Sequence, residues 1–118
     1  MLHAGLYART VRVPAGVLLT GALIKIATLV IIEGDVLVHL DEGSLRLRGH
    51  HVLPAAAGRK QAFIAMAETH ITMIFPTAAR SVTEAEQEFT DEAETLASRR
   101  DGAINRIIIT GGLACQEE

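Results

Sequence analysis

Leu29-Val30-Ile31-Ile32-Glu33-Gly34-Asp35-Val36-Leu37-Val38-His39-Leu40, then Asp41-Glu42-Gly43, then Ser44-Leu45-Arg46-Leu47-Arg48, is the stretch on which the architecture turns. Asp41-Glu42-Gly43 is turn chemistry between two β-rich runs, with a glycine available for positive φ, so the chain reverses there. Leu45-Arg46-Leu47-Arg48 alternates with a period of two, which sends its leucines to one face of a sheet and its arginines to the other. Leu29 to Ile32 is apolar at every position, the mark of a strand covered on both faces, and a second subunit is one way to supply the cover.

Outward from this passage the same grammar continues. Short strands are expected over residues 6–13, 17–20, 23–32, 36–40, 44–48, 51–54, 61–66 and 70–75. Pro14-Ala15-Gly16, Glu33-Gly34-Asp35 and Ala57-Gly58-Arg59-Lys60 stand, like Asp41-Glu42-Gly43, where the direction is expected to reverse. After Pro76 the period changes. Ser81-Val82-Thr83-Glu84 is a capping box, and Val82, Ala85, Phe89, Ala93 and Leu96 then recur at helical spacing on an otherwise acidic segment. Thr90-Asp91-Glu92 offers a point at which that helix breaks and restarts. Ile107-Ile108-Ile109 is β-branched and followed by Gly111-Gly112, which reads as a terminal strand in need of an edge, in its own sheet or in a neighbour's. The sum is a mainly β chain, a jelly roll or double-sheet barrel followed by a C-terminal helix and a terminal strand. An immunoglobulin-like sandwich is the alternative, without that fold's Cys and Trp core.

Composition narrows the possibilities. The 118 residues fit one domain, with 49% apolar and 21% charged residues. Tyr7, Phe63, Phe75 and Phe89 are the only aromatic side chains, too few for a base-stacking platform. Residues 1–80 carry eight Lys/Arg against five Asp/Glu, whereas residues 81–118 carry three against nine. No basic stripe results, which argues against nucleic acid as a partner. Cys115 is the single cysteine, so neither an intramolecular disulfide nor a multi-cysteine zinc site is available. The apolar stretch 13–32 is interrupted by Lys25, Gly16 and Gly21, and no membrane association is expected.

Three passages carry a resemblance to a known family. Val13-Pro14-Ala15-Gly16 followed by the apolar run and Ile32-Glu33-Gly34-Asp35-Val36 resembles the first cupin motif, with Gly34 as its closing glycine. Gly49-His50-His51-Val52-Leu53-Pro54 with Ala57-Gly58-Arg59-Lys60 resembles the second. Glu88-Phe89-Thr90-Asp91-Glu92 through Ser98-Arg99-Arg100 is similar to the short cupin-like proteins of tailed bacteriophages. The resemblance implies a jelly-roll core over residues 1–77, with residues 78–118 as an acidic helix, strand and tail belonging to the same domain or reaching a neighbouring subunit. It does not bring the family's metal ligands. Residues 13–32 contain no His, Asp, Glu or Cys, and the position of the second motif's histidine falls near Gln61.

No catalytic, cofactor or metal residue is therefore expected. His39, His50, His51 and His70 lie on or beside neighbouring strands, but their spacing matches no ligand pattern. Ser44, Ser81 and Ser98 lack a nucleophile-elbow context. The expected role is a non-enzymatic, homo-oligomeric virion protein, a dimer or trimer, decorating or cementing a capsid. Its partners would be itself and the major capsid protein or another virion protein. Candidate contacts are Arg46 and Arg48, the acidic residues Glu88, Asp91 and Glu92, and the strand Ile107, Ile108 and Ile109. The alternative is a cupin-type small-molecule binder or enzyme with a non-standard site, its cavity lined by side chains such as Thr28, His39, Gln61 and Met73.

Overall fold

The computed structural model describes residues 1–20, 23–40, 43–58, 61–91 and 107–109. The strands are β1 (Leu2–His3), β2 (Leu6–Val13), β3 (Val17–Thr20), β4 (Thr28–Leu40), β5 (Gly43–Ala55), β6 (Ala62–Ala65), β7 (Thr69–Pro76) and β8 (Ile107–Ile109). One helix, α1 (Val82–Phe89), lies between β7 and β8. All strand pairs are antiparallel, and the sheet runs β1-β2-β7-β4-β6-β3-β8, with β5 branching from β4.

Strand β4 organises the sheet. Along one edge it pairs with β5 from Thr28↔Ala55 to Leu40↔Gly43. Along the other it pairs first with β7, over Leu29–Glu33, and then with β6, over Val36–His39. The change of partner falls at Gly34, whose φ is +146° and whose Cα is packed against Thr69. A sheet that forks in this way curls into a half-barrel, and its inner face collects Val30, Ile32, Val36, Val38 and Leu47 as one apolar cluster. Val13, Val17, Leu19 and Ala65 form a second.

Several boundaries differ from the sequence reading. Glu33-Gly34-Asp35 is not a reversal: the strands expected over 23–32 and 36–40 are one strand that starts only at Thr28, because the glycine lets β4 bend without leaving its ladder to β5, and residues 23–27 stand outside it. In the same way 44–48 and 51–54 fuse into β5, with Gly49 (φ +86°) opposite Gly34. Leu29 remains 42% exposed, so the outer face of the sheet is open at that point.

Helix α1 starts as its capping box requires, with the Glu84 amide donating to Ser81 Oγ at 3.1 Å. The helix stops at Thr90, which is extended and whose amide donates to the Glu86 carbonyl. Ala93 and Leu96, the rest of the expected stripe, lie outside the described residues. Ala85 and Phe89 are fully buried on Tyr7, Met73 and Phe75, so α1 closes the β2–β7 end of the inner face. Strand β8 pairs with β3 of its own sheet, Val17↔Ile109 to Leu19↔Ile107.

Candidate functional site

The inner face divides into two regions of different chemistry. Under α1, the alternation of β2 turns Tyr7, Arg9, Val11 and Val13 the same way. The rings of Tyr7, Phe75 and Phe89 pack with centroids 5.3–5.7 Å apart, a compact aromatic cluster. The Arg9 guanidinium carbon sits 5.9 Å from the centre of the Phe89 ring, a cation–π distance. Glu86, 2% exposed, accepts a 3.3 Å hydrogen bond from the Tyr7 hydroxyl. Burial pushes the Tyr7 phenol up to about 12, with the nearby Glu86 adding to the rise and Arg9 opposing it. Nη1 of Arg9 is buried without a hydrogen-bond partner. This trio fastens α1 to the sheet. Sequence reasoning passed over it because an arginine in a strand reads as solvent-facing, although its parity with Tyr7 and Val13 carried the signal.

At the other end, β4, β5 and β6 enclose a groove of about 250 Å³. Its walls are Val30, Ile32 and Val38 from β4, Leu45, Leu47, Leu53, Pro54 and Ala55 from β5, Phe63 from β6, and Gln61. Every wall side chain except Gln61 is hydrocarbon. Of the four residues expected in a cavity, Gln61 alone lines this groove. Thr28 and Met73 are buried elsewhere, and His39 is exposed, with Nδ1 2.8 Å from Ser44 Oγ.

The polar residues singled out from the sequence stand on the outer face. Asp35 accepts from Arg46 Nε at 3.0 Å and Nη2 at 2.8 Å, a bidentate pair, and Arg48 Nε approaches it at 3.5 Å. The hydrogen bond from Arg46 chiefly holds the Asp35 carboxyl below its ordinary range. On the helix side, Glu88 accepts from Thr77 Oγ1 at 2.6 Å, and Lys25 donates to Asp91 at 2.7 Å. Glu92 lies outside the described residues. The structure thus does not bring the basic and acidic candidates together within one subunit; each set is held by its own neighbours. His51 Nε2 donates to the Arg48 carbonyl at 2.7 Å, and Glu33 stands in register between His50 and His70.

No family model matches the sequence, and no curated protein matches it. Among solved structures, the chain is similar to a cupin-2 domain containing protein from Shewanella frigidimarina, with a TM-score of 0.51 and 16% identity over 64% of this chain and 74% of that one. The fold is cupin-like. Cupins of the metal-binding kind are expected to hold a metal inside the barrel, and the groove does not fit one. Its single polar wall residue is a carboxamide, a poor ligand for a transition metal, and among the described residues no three His, Cys, Asp or Glu side chains are grouped to hold an ion.

Proposed function

We propose that this chain is a non-enzymatic assembly protein that works as a homo-oligomer, in the manner of a capsid decoration or cementing protein of a tailed phage. The observation that carries the reading is the hydrocarbon groove on the inner face of an incompletely closed barrel. A surface of this kind stabilises contact with another apolar surface at roughly 25 cal/mol per Å² buried, and offers no convergent polar groups for chemistry. The phage assignment rests on the sequence resemblance over residues 6–77 and in the acidic segment. Mass spectrometry of purified particles from the source phage tests it: the protein should be present in fixed stoichiometry to the major capsid protein. Its absence from particles would contradict the assignment.

A second reading, a carrier of an apolar small molecule, would use Gln61 on the groove wall as its one polar contact. The volume weighs against it, since ligand pockets run from about 300 to 1,000 Å³. Titration with an environment-sensitive apolar dye separates the two, because a carrier saturates at one dye per subunit.

A further inference from the structure

We infer that β5 is the homo-oligomer contact, pairing antiparallel with β5 of a second copy about a two-fold axis at Gly49. The inference deepens the assembly role proposed above and rests on it. Among the described residues β5 has β4 as its only strand partner, so no strand lies along the other edge of this thirteen-residue strand; of its outward groups the Arg48 carbonyl is taken by His51 Nε2 and is released when a second strand pairs there. The other sheet ends are short, with two residues in β1 and three in β8. Two residues separate β4 from β5, so Leu40↔Gly43 is a hydrogen-bonded closing pair and the odd-numbered residues of β5 bond to β4. Even-numbered residues then aim their N–H and C=O groups at the free edge. Pro54 agrees with this parity: as an even position, its missing N–H faces outward, where a strand tolerates proline.

One register overlaps the full length of both strands and matches an apolar pair. Gly49 is the midpoint of Gly43–Ala55, so an axis there overlaps the full length of both strands. Leu45, 49% exposed, then faces Leu53 of the partner subunit, and Val52, 52% exposed, lies opposite Arg46 of the partner subunit. Arg48 meets the partner's His50. A shift of the axis to Arg48 instead sets two guanidinium groups directly opposite each other, which is repulsive. The usual guards of an edge strand are inward-pointing charges, lysines and proline, and of these β5 carries Pro54, one residue from its end. Here Arg46 and Arg48 point to the outer face and are drawn sideways onto Asp35, and β5 has no lysine.

The β5 edge alone supplies about half of a stable interface, so the dimer also needs apolar surface beside it. A strand of this length is about 43 Å long, and across a sheet face-to-face thickness of about 10 Å its edge offers roughly 400 Å². A stable interface takes about 800 Å² from each partner. The groove fronted by Leu45 and Leu53 supplies apolar surface toward the difference.

The test uses the full chain with Cys115→Ala as background. Leu45→Cys combined with Leu53→Cys places thiols opposite each other only between subunits, at a non-hydrogen-bonded pair, whose spacing suits a disulfide. Mild oxidation should give a covalent dimer with the double variant and not with either single one. Arg48→Pro, which removes an outward N–H, should weaken dimerisation at least tenfold by sedimentation velocity, whereas Arg48→Ala should leave it within threefold. An oligomer that does not cross-link and ignores Arg48→Pro would overturn the β5 contact while leaving self-assembly in place. A monomer at every concentration would overturn both. Should Arg48→Pro fail to fold, the cross-linking result decides alone.

Discussion

Replacing Gly34 by alanine attacks the point where β4 passes from β7 to β6. A Cβ built there lies 2.5 Å from Thr69 Oγ1, 2.7 Å from Thr69 Cα and 2.8 Å from the Glu68 carbonyl oxygen. Two of these are backbone atoms, so no rotamer change relieves them, and the start of β7 has to move. Thr69 is fully buried, its Oγ1 accepting from the Asp35 amide at 3.1 Å and donating to the Ala67 carbonyl at 2.9 Å. Overpacking costs about 1–3 kcal/mol, the glycine-only backbone conformation at φ +146° adds about 1–3 kcal/mol, and each loosened hydrogen bond adds about 1 kcal/mol. The expected loss is about 3–8 kcal/mol, a large share of the roughly 5–15 kcal/mol that holds a domain of this size. Urea unfolding followed by circular dichroism measures it, with Gly5→Ala as the reference. Gly5 has φ +73° and nothing near its missing Cβ, so that variant should lose only about 1–2 kcal/mol of left-handed strain. If Gly34→Ala is no worse than Gly5→Ala, the fork at Gly34 does not depend on the close contact and the reasoning fails.

Phe89→Ala should cost about 3–5 kcal/mol in the same assay, because it empties the site between Tyr7 and Phe75 and uncovers Arg9; a loss under about 1 kcal/mol would mean that α1 is not fastened there. Tyr7 is the only tyrosine, so phenolate absorbance reports it alone: the midpoint should be about 12 folded, against 10.0 for the ordinary group. The unfolded chain then releases this proton first, and stability should fall as pH rises from about 10 to about 12; a folded-state midpoint at the ordinary value would contradict the burial. Asp35 has a depressed folded pKa, so its contribution is present above the ordinary carboxylate range and is lost as pH falls through and below it. Asp35→Asn should flatten that acid limb of the urea midpoint, and an unchanged limb would assign it to other groups.

Much of the sheet was legible in the residues. Strands β2 and β3 begin and end where alternation and Pro14-Ala15-Gly16 place them, because Gly16 adopts φ +81° in a turn closed by the Val17 amide on the Pro14 carbonyl. Glycine was misread inside β4 and β5. Gly34 and Gly49 carry turn composition, yet they face each other across a continuous ladder, and only the tertiary contact with Thr69 shows that one of them is a point of close packing. The capping box located the start of α1, and Thr90-Asp91-Glu92 marked its break, which falls at an extended, buried Thr90; the apolar stripe alone would have run through it. The absence of ligand residues along 13–32 was visible in the sequence; the groove was not, since it depends on which side of β4 each neighbour joins.

Native mass spectrometry of the purified chain addresses the assembly reading in one spectrum, since it reports subunit number and any tightly held mass together. A homo-dimer with no bound ion or ligand is the expected result. A monomer carrying a stoichiometric metal or small molecule would contradict it.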